Sequence, residues 1–312
     1  ASSRRKADLG CTPLFRVVSF AACLLASLVP AAHVVAETTD NHRELTLWYR
    51  NYDSPAIRNL VLLALDKAPE YGSYELLRSL EVSQGRALLE LTKGNNRILD
   101  IANVATTAER EDSLNPIPVP VDGGLLGFRV CLVMPENLPK FKDISSLEDL
   151  KARKISIGQG THWPDTPILE ANGLRVITNP RFEVLFGMLL NQRFDCFARG
   201  ISEVLFDLEQ PRASGLVIEP DLLIAYPLPS YLFAAKHDHD TAHRLQLGIE
   251  RAINDGSFAD YLNTYFGRAM NELNLKHRTI ITLKNPYLSD ESNGVGRKTL
   301  EELSRRIKYL DQ

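Results

Sequence analysis

A chain of 312 residues, 44% hydrophobic and 24% charged, has the make-up of an ordinary globular protein and none of the biases of fibrous or disordered ones. That length exceeds what a single core usually supports, so two units are expected. The formal net charge of −3 argues against nucleic acid as a partner, the more so without residues 1–36, where Arg4, Arg5, Lys6 and Arg16 outnumber Asp8 and leave −6 for the rest.

The basic start is followed by an apolar run from Val17 to Val29 that stops at Pro30, the pattern of a secretory signal peptide. Cleavage is expected between Ala36 and Glu37, with a cut after Ala32 as the alternative. A retained anchor fits less well, because the run falls short of a bilayer span and ends in proline. Cys23 has few lipobox features around it and reads as apolar filling. Export implies an oxidising compartment for the remaining cysteines, Cys131 and Cys196. Both are read as small buried hydrophobes, with a disulfide between them as the other reading.

Glu44 to Arg50 alternates as a strand, and Ser54-Pro55 then caps and opens a helix carrying Ile57, Leu60, Val61 and Ala64 at helical spacing. Ser83 opens a second helix that Gly94 closes, before the apolar strand Ile98 to Val104. The segment Asn115 to Val121 has proline at alternate positions and cannot be central sheet or helix, so a crossing between units is placed there. From Phe128 to Ala198 strand and helix alternate in strict turn, which predicts a mostly parallel sheet covered by helices. Leu222 to Tyr226 is a strand, Pro227 and Pro229 mark the return crossing, and Tyr231 to Ala235 re-enters the first unit. Helices over about 240–254 and 257–266 follow, and a last one carries Leu300, Leu303, Ile307 and Leu310 on one stripe. An inserted α/β unit reached by two extended crossings makes a hinge with a cleft, where ligands bind.

Two segments carry candidate chemistry. Arg110 of Thr106-Thr107-Ala108-Glu109-Arg110 follows a strand end and can hold a carboxylate through two parallel hydrogen bonds; otherwise Thr106 and Glu109 form a capping box and Arg110 is solvated. Gly158-Gln159-Gly160-Thr161 is expected to be a turn whose backbone N–H groups converge at a helix start and favour an anion, or else a plain tight turn. Trp163 and Asp165 flank it, and Tyr226 on the return crossing could touch ligand or support the hinge. His237, His239 and His243 read as solvated and not as a metal site. No nucleophile elbow or paired cysteine motif appears, and no cofactor, metal or catalytic residue is expected.

These pieces resemble the family 3, type II extracellular solute-binding proteins of amino-acid ABC transporters, within an uncharacterised proteobacterial branch. The matching stretches are Thr107 to Arg110, Ser146 to Lys151 with Ile155 to Thr161, Leu189 to Cys196, and Asp255 to Phe258 with Tyr265 to Gly267, in family order over about residues 44–267. The resemblance implies a two-lobe type II periplasmic binding fold with two mostly parallel sheets and a two-segment hinge. It divides the chain into a signal peptide (1–36), lobe 1 (37–125 and 223–270), lobe 2 (126–222) and a C-terminal helical extension packing on lobe 1 (271–312). It also implies a non-enzymatic, periplasmic monomer that captures a small ligand for an ABC permease, with docking on a membrane sensor or dehydratase activity as alternatives. By resemblance, Arg110 with Thr107, Gly160 and Thr161 holds the ligand's carboxylate, and Tyr49 or Tyr52 covers its side chain. Where amino-acid binders place an aspartate for the ammonium group, this sequence has Arg199, which favours a second anionic group unless Glu203 pairs with it.

Overall fold

The computed structural model describes residues 42–93 and 98–308. The stretch expected to be a signal peptide, residues 1–36, lies outside them, as do Gly94 and Leu310. The chain opens with β1 (Arg43–Leu47), α1 (Tyr49–Tyr52), α2 (Pro55–Asp66), β2 (Tyr74–Arg78), α3 (Gln84–Leu91), β3 (Ile101–Ala105), α4 (Ala108–Ser113) and β4 (Asn115–Ile117). Ser54 and Ser83 cap α2 and α3 as predicted, accepting from the N–H groups of Ile57 and Arg86. The next stretch holds β5 (Phe128–Val133), α5 (Leu147–Ala152), β6 (Ser156–Gly160), α6 (Asp165–Ala171), β7 (Arg175–Asn179) and α7 (Phe182–Leu190). It continues through β8 (Cys196–Gly200), α8 (Val204–Leu208), β9 (Val217–Ile218) and β10 (Leu222–Ala225). Then come β11 (Ser230–Ala234), α9 (His239–Asn254), α10 (Ser257–Glu272), β12 (Thr279–Thr282) and α11 (Asp290–Lys308).

Two sheets result, one in the order β2-β1-β3-β11-β4 and one in the order β12-β10-β5-β8-β6-β7, with β9 beside β5. They are mixed and not mostly parallel. The strands joined through helices run parallel, but β5 and β11, each reached by a crossing, run antiparallel to their neighbours. The proline-rich segment forms β4 on the edge of the first sheet, where a missing N–H costs no ladder bond. The crossings lie side by side: the N–H of Tyr226 donates to Gly127 O at 3.0 Å and that of Val121 to Ser230 O at 2.9 Å. One apolar cluster runs from Leu45, Leu47 and Ile101 of the first sheet to Phe128, Val130 and Leu132 of the second.

The C-terminal segment departs from the expected packing on the first lobe alone. Its β-branched run Thr279-Ile280-Ile281-Thr282 adds β12 parallel to β10 at the edge of the second sheet. Helix α11 then lies against the crossings, with Gly296 beside Pro227 and Pro229, and Ser292 donates to Glu111 of the first lobe.

Helices α2 and α9 approach at Gly248, where a methyl group would stand 1.9 Å from the carbonyl oxygen of Ala64. Helix propensity alone makes Gly248→Ala stabilising by about 1 kcal/mol. Because the obstacle is backbone, the substitution is expected instead to destabilise by about 2 kcal/mol. A raised melting temperature for the variant would contradict the close approach.

Candidate functional site

Four strand ends face one another between the sheets. From the first lobe come the residues after β1 (Trp48, Tyr49, Arg50) and after β3 (Thr106 to Arg110); from the second come those after β6 (Thr161 to Asp165) and at the end of β8 (Arg199 to Glu203). In α/β sheets the carboxyl ends of strands are where ligands are met.

Thr107, one residue later than the predicted box, caps α4 by accepting from the N–H of Arg110 at 3.2 Å. The Thr106 hydroxyl turns to Glu111 instead. The cap aims Arg110 across the cleft, and it is buried rather than solvated. Its Nη1 donates to Ala105 O in its own lobe and its Nη2 to His162 O in the other, at 2.6 Å. Burial lowers its pKa to about 10, which the charges of Asp165 and Glu109 offset only in part. His162 also lies against Gly85 of α3, where a Cβ would come within 2.7 Å of its ring. The lobes therefore touch at this point.

The glycine-rich segment is not the predicted turn. Gly158-Gln159-Gly160 is the body of β6, pairing in register with Ile177 to Asn179, and the N–H of Thr161 is already spent on Asn179 O at 3.1 Å. The glycines make room for rings: a Cβ on Gly158 would stand 2.2 Å from Phe194, and one on Gly160 would stand 2.5 Å from Trp163. Trp163 stacks on Phe197, with centroids 6.1 Å apart, and joins Phe182 in an aromatic wall.

Arg199 takes the ion-pair reading. Its Nε meets Asp207 at 2.5 Å and its Nη2 meets Glu203 at 3.2 Å, so the charge offered to a second anionic group is compensated inside the lobe. Asp165 and Tyr226 belong to the same buried network. Arg129 Nη2 contacts Asp165 at 2.7 Å and its Nη1 reaches Glu203 at 3.5 Å, while the Tyr226 hydroxyl donates to Asp165. Tyr49 reaches over to the second lobe, its hydroxyl 3.4 Å from Glu183, but Tyr52 lines an outer hollow with Arg58 and Tyr74 and is not brought to the cleft. His239 faces Asn115 and His243 faces Tyr71, both on the first lobe.

Sequence reasoning missed Arg50, Arg129 and Phe182. Arg129 had a signal, a lone charge inside the otherwise apolar run Phe128 to Val133. Cys131 and Cys196 form a disulfide, with Cα atoms 5.0 Å apart, and are not the separate hydrophobes expected. Their strands, β5 and β8, are sheet neighbours although two strands, β6 and β7, separate them in the chain.

No protein-family model matches the chain, and no curated protein sequence is significantly similar to it. Among solved structures, an amino acid ABC transporter substrate-binding protein from Streptococcus pneumoniae bound to L-arginine gives a TM-score of 0.54 at 14% identity, over 72% of this chain and 95% of that one. A Salmonella typhimurium periplasmic binding protein of high arginine specificity gives 0.51 at 11%, over 72% and 99%. An ancestral amino acid-binding protein, a precursor of cyclohexadienyl dehydratase, gives 0.51 at 15%, over 72% and 95%. The chain has the two-lobe fold of the amino-acid ABC substrate-binding proteins.

Proposed function

We propose that this protein captures a small carboxylate between its lobes, in the periplasm, and delivers it as a monomer to an ABC permease. The carrying observation is Arg110: a buried guanidinium that bridges the lobes and, among the described residues, has only carbonyl oxygens as hydrogen-bond partners. When the hinge opens, the His162 carbonyl withdraws and a ligand carboxylate takes its place in a charge-assisted pair. Closure then returns Thr161, His162 and Trp163 over the ligand, which holds both lobes at once. Thr107 positions the arginine, Tyr49 and Trp163 wall the space, and Arg199, Asp165 and Tyr226 stiffen the second lobe without touching ligand.

Charge favours an anion. Arg50, Arg110, Arg129, Arg199 and Arg212 surround the cleft against the carboxylates of Asp165, Glu183, Glu203 and Asp207. A cationic ligand such as L-arginine, which two of the structural neighbours bind or select, is disfavoured here. Since Arg199 is spent internally, one carboxylate and not two is the recognised group. Asp165 and Glu203, the acids that could have served as general acid or base, are both engaged by arginine, which supports capture over turnover. The disulfide fits an oxidising compartment, as does the leader pattern.

A thermal-shift screen over amino acids, dicarboxylates, keto acids and phosphorylated metabolites will identify the ligand. With it in hand, Arg110→Ala is expected to weaken binding about 100-fold or more while changing stability by less than about 1 kcal/mol, because the residue removed is a desolvated cation. Equal affinity of wild type and Arg110→Ala in calorimetry would sink the assignment.

A further inference from the structure

Arg50 has an environment that the capture reading leaves unused. It leaves the first lobe in α1 and lays its guanidinium carbon 3.9 Å from the ring centroid of Phe182, at the start of α7 in the second lobe. Trp48 flanks it at 5.4 Å. Among the described residues it makes no ion pair or hydrogen bond, although Glu203 and Asp207 lie close enough to act on its charge. Those carboxylates are taken by Arg199, whose own guanidinium stands 5.0 Å from the same ring. Burial, and then the like charge of Arg199, press the pKa of Arg50 downward. A cation held there against repulsion, by an aromatic face and by charges already shared, marks the face of Phe182 as a place built for a cation.

We propose that the face of Phe182, backed by Glu203 and Asp207, is a cation subsite of the cleft, that Arg50 fills it from the opposite lobe, and that this built-in guanidinium excludes ligands with a basic side chain. Arg50 is tethered a few bonds from its site, so a free guanidinium that entered would only replace the contact Arg50 already makes and would add no net stability to the wild type. The exclusion half rests on the capture reading; the subsite half does not. Arg50 thus sets specificity by occupancy as well as by charge.

The test separates the two. Arg50→Ala vacates the subsite, and Arg50→Gln removes the charge but keeps most of the bulk. In about 20 mM methylguanidinium chloride, against sodium chloride at equal ionic strength, Arg50→Ala is expected to melt about 3 °C higher, with wild type and Arg50→Gln unmoved. Adding Phe182→Leu, a substitution that keeps an apolar side chain under the subsite, is expected to erase the rise. Calorimetry with L-arginine and its neutral isostere L-citrulline reads the second half: Arg50→Ala gains tenfold or more for L-arginine over wild type and nothing for L-citrulline. An identical methylguanidinium response in wild type and Arg50→Ala overturns the subsite. A rescue that Phe182→Leu erases, without any gain for L-arginine, keeps the subsite and overturns the exclusion.

Discussion

Loss of the Cys131–Cys196 bond is expected to cost the fold about 4 kcal/mol, the chain-entropy value for a closed loop of this length. The two residues are 65 positions apart, and the enclosed chain includes β6, β7, α5, α6 and α7, most of the second lobe. Both cysteines are buried in neighbouring central strands, so reduction is expected only once the lobe unfolds. Urea titrations followed by the fluorescence of Trp48 and Trp163, which sit at the cleft, compare oxidised protein, protein refolded with reductant, and the double variant Cys131→Ala with Cys196→Ala. The last two should share a midpoint well below the first, with little change in slope. Thiol titration in denaturant without reductant, on protein lacking residues 1–36 and with them Cys11 and Cys23, should find no free thiol in the oxidised chain. Two reactive thiols, or coincident midpoints, would restore the reading of separate buried hydrophobes.

What was legible in the sequence was local. Ser54-Pro55 and Ser83 announce helices because a cap and its first turn are adjacent residues, and α2 and α3 begin where they say. The strand-helix alternation from β5 to β8 was likewise visible, and so were both crossings, because proline removes the N–H that a central strand needs. Sheet order was not legible, since it is set by non-local pairing. Nothing near Cys131 says that β8 will lie beside β5, and nothing near Thr279 says that β12 will close the edge at β10. The site divides in the same way. That Arg110 follows a strand end was legible, and its place between the lobes was not, whereas the placement of Gly158 and Gly160 was misread because an open backbone can admit an anion or an aromatic ring. Only the tertiary partners Phe194 and Trp163 decide which.

Arg129→Met is expected to destabilise the protein by about 3 to 5 kcal/mol, because it strips two carboxylates of a shared cation inside the second lobe. Arg129 is 3% exposed and stands between Asp165 on α6 and Glu203 after β8. Burial opposes its charge, yet Asp165, Tyr226 and Glu203 together raise its pKa above the ordinary value, so the cation is held firmly. The losses on removing it are unequal. Glu203 keeps Arg199, but among the described residues Asp165 keeps only the Tyr226 hydroxyl as a hydrogen-bond partner and is left as a buried charge. Asp165→Asn in the Arg129→Met background should therefore restore a large share of the lost stability, where Glu203→Gln should restore little. Urea midpoints for the single and double variants make the cycle. Additive losses for Arg129 and Asp165 would mean that the two side chains do not pair, and the network that stiffens the lobe behind the cleft would have to be redrawn.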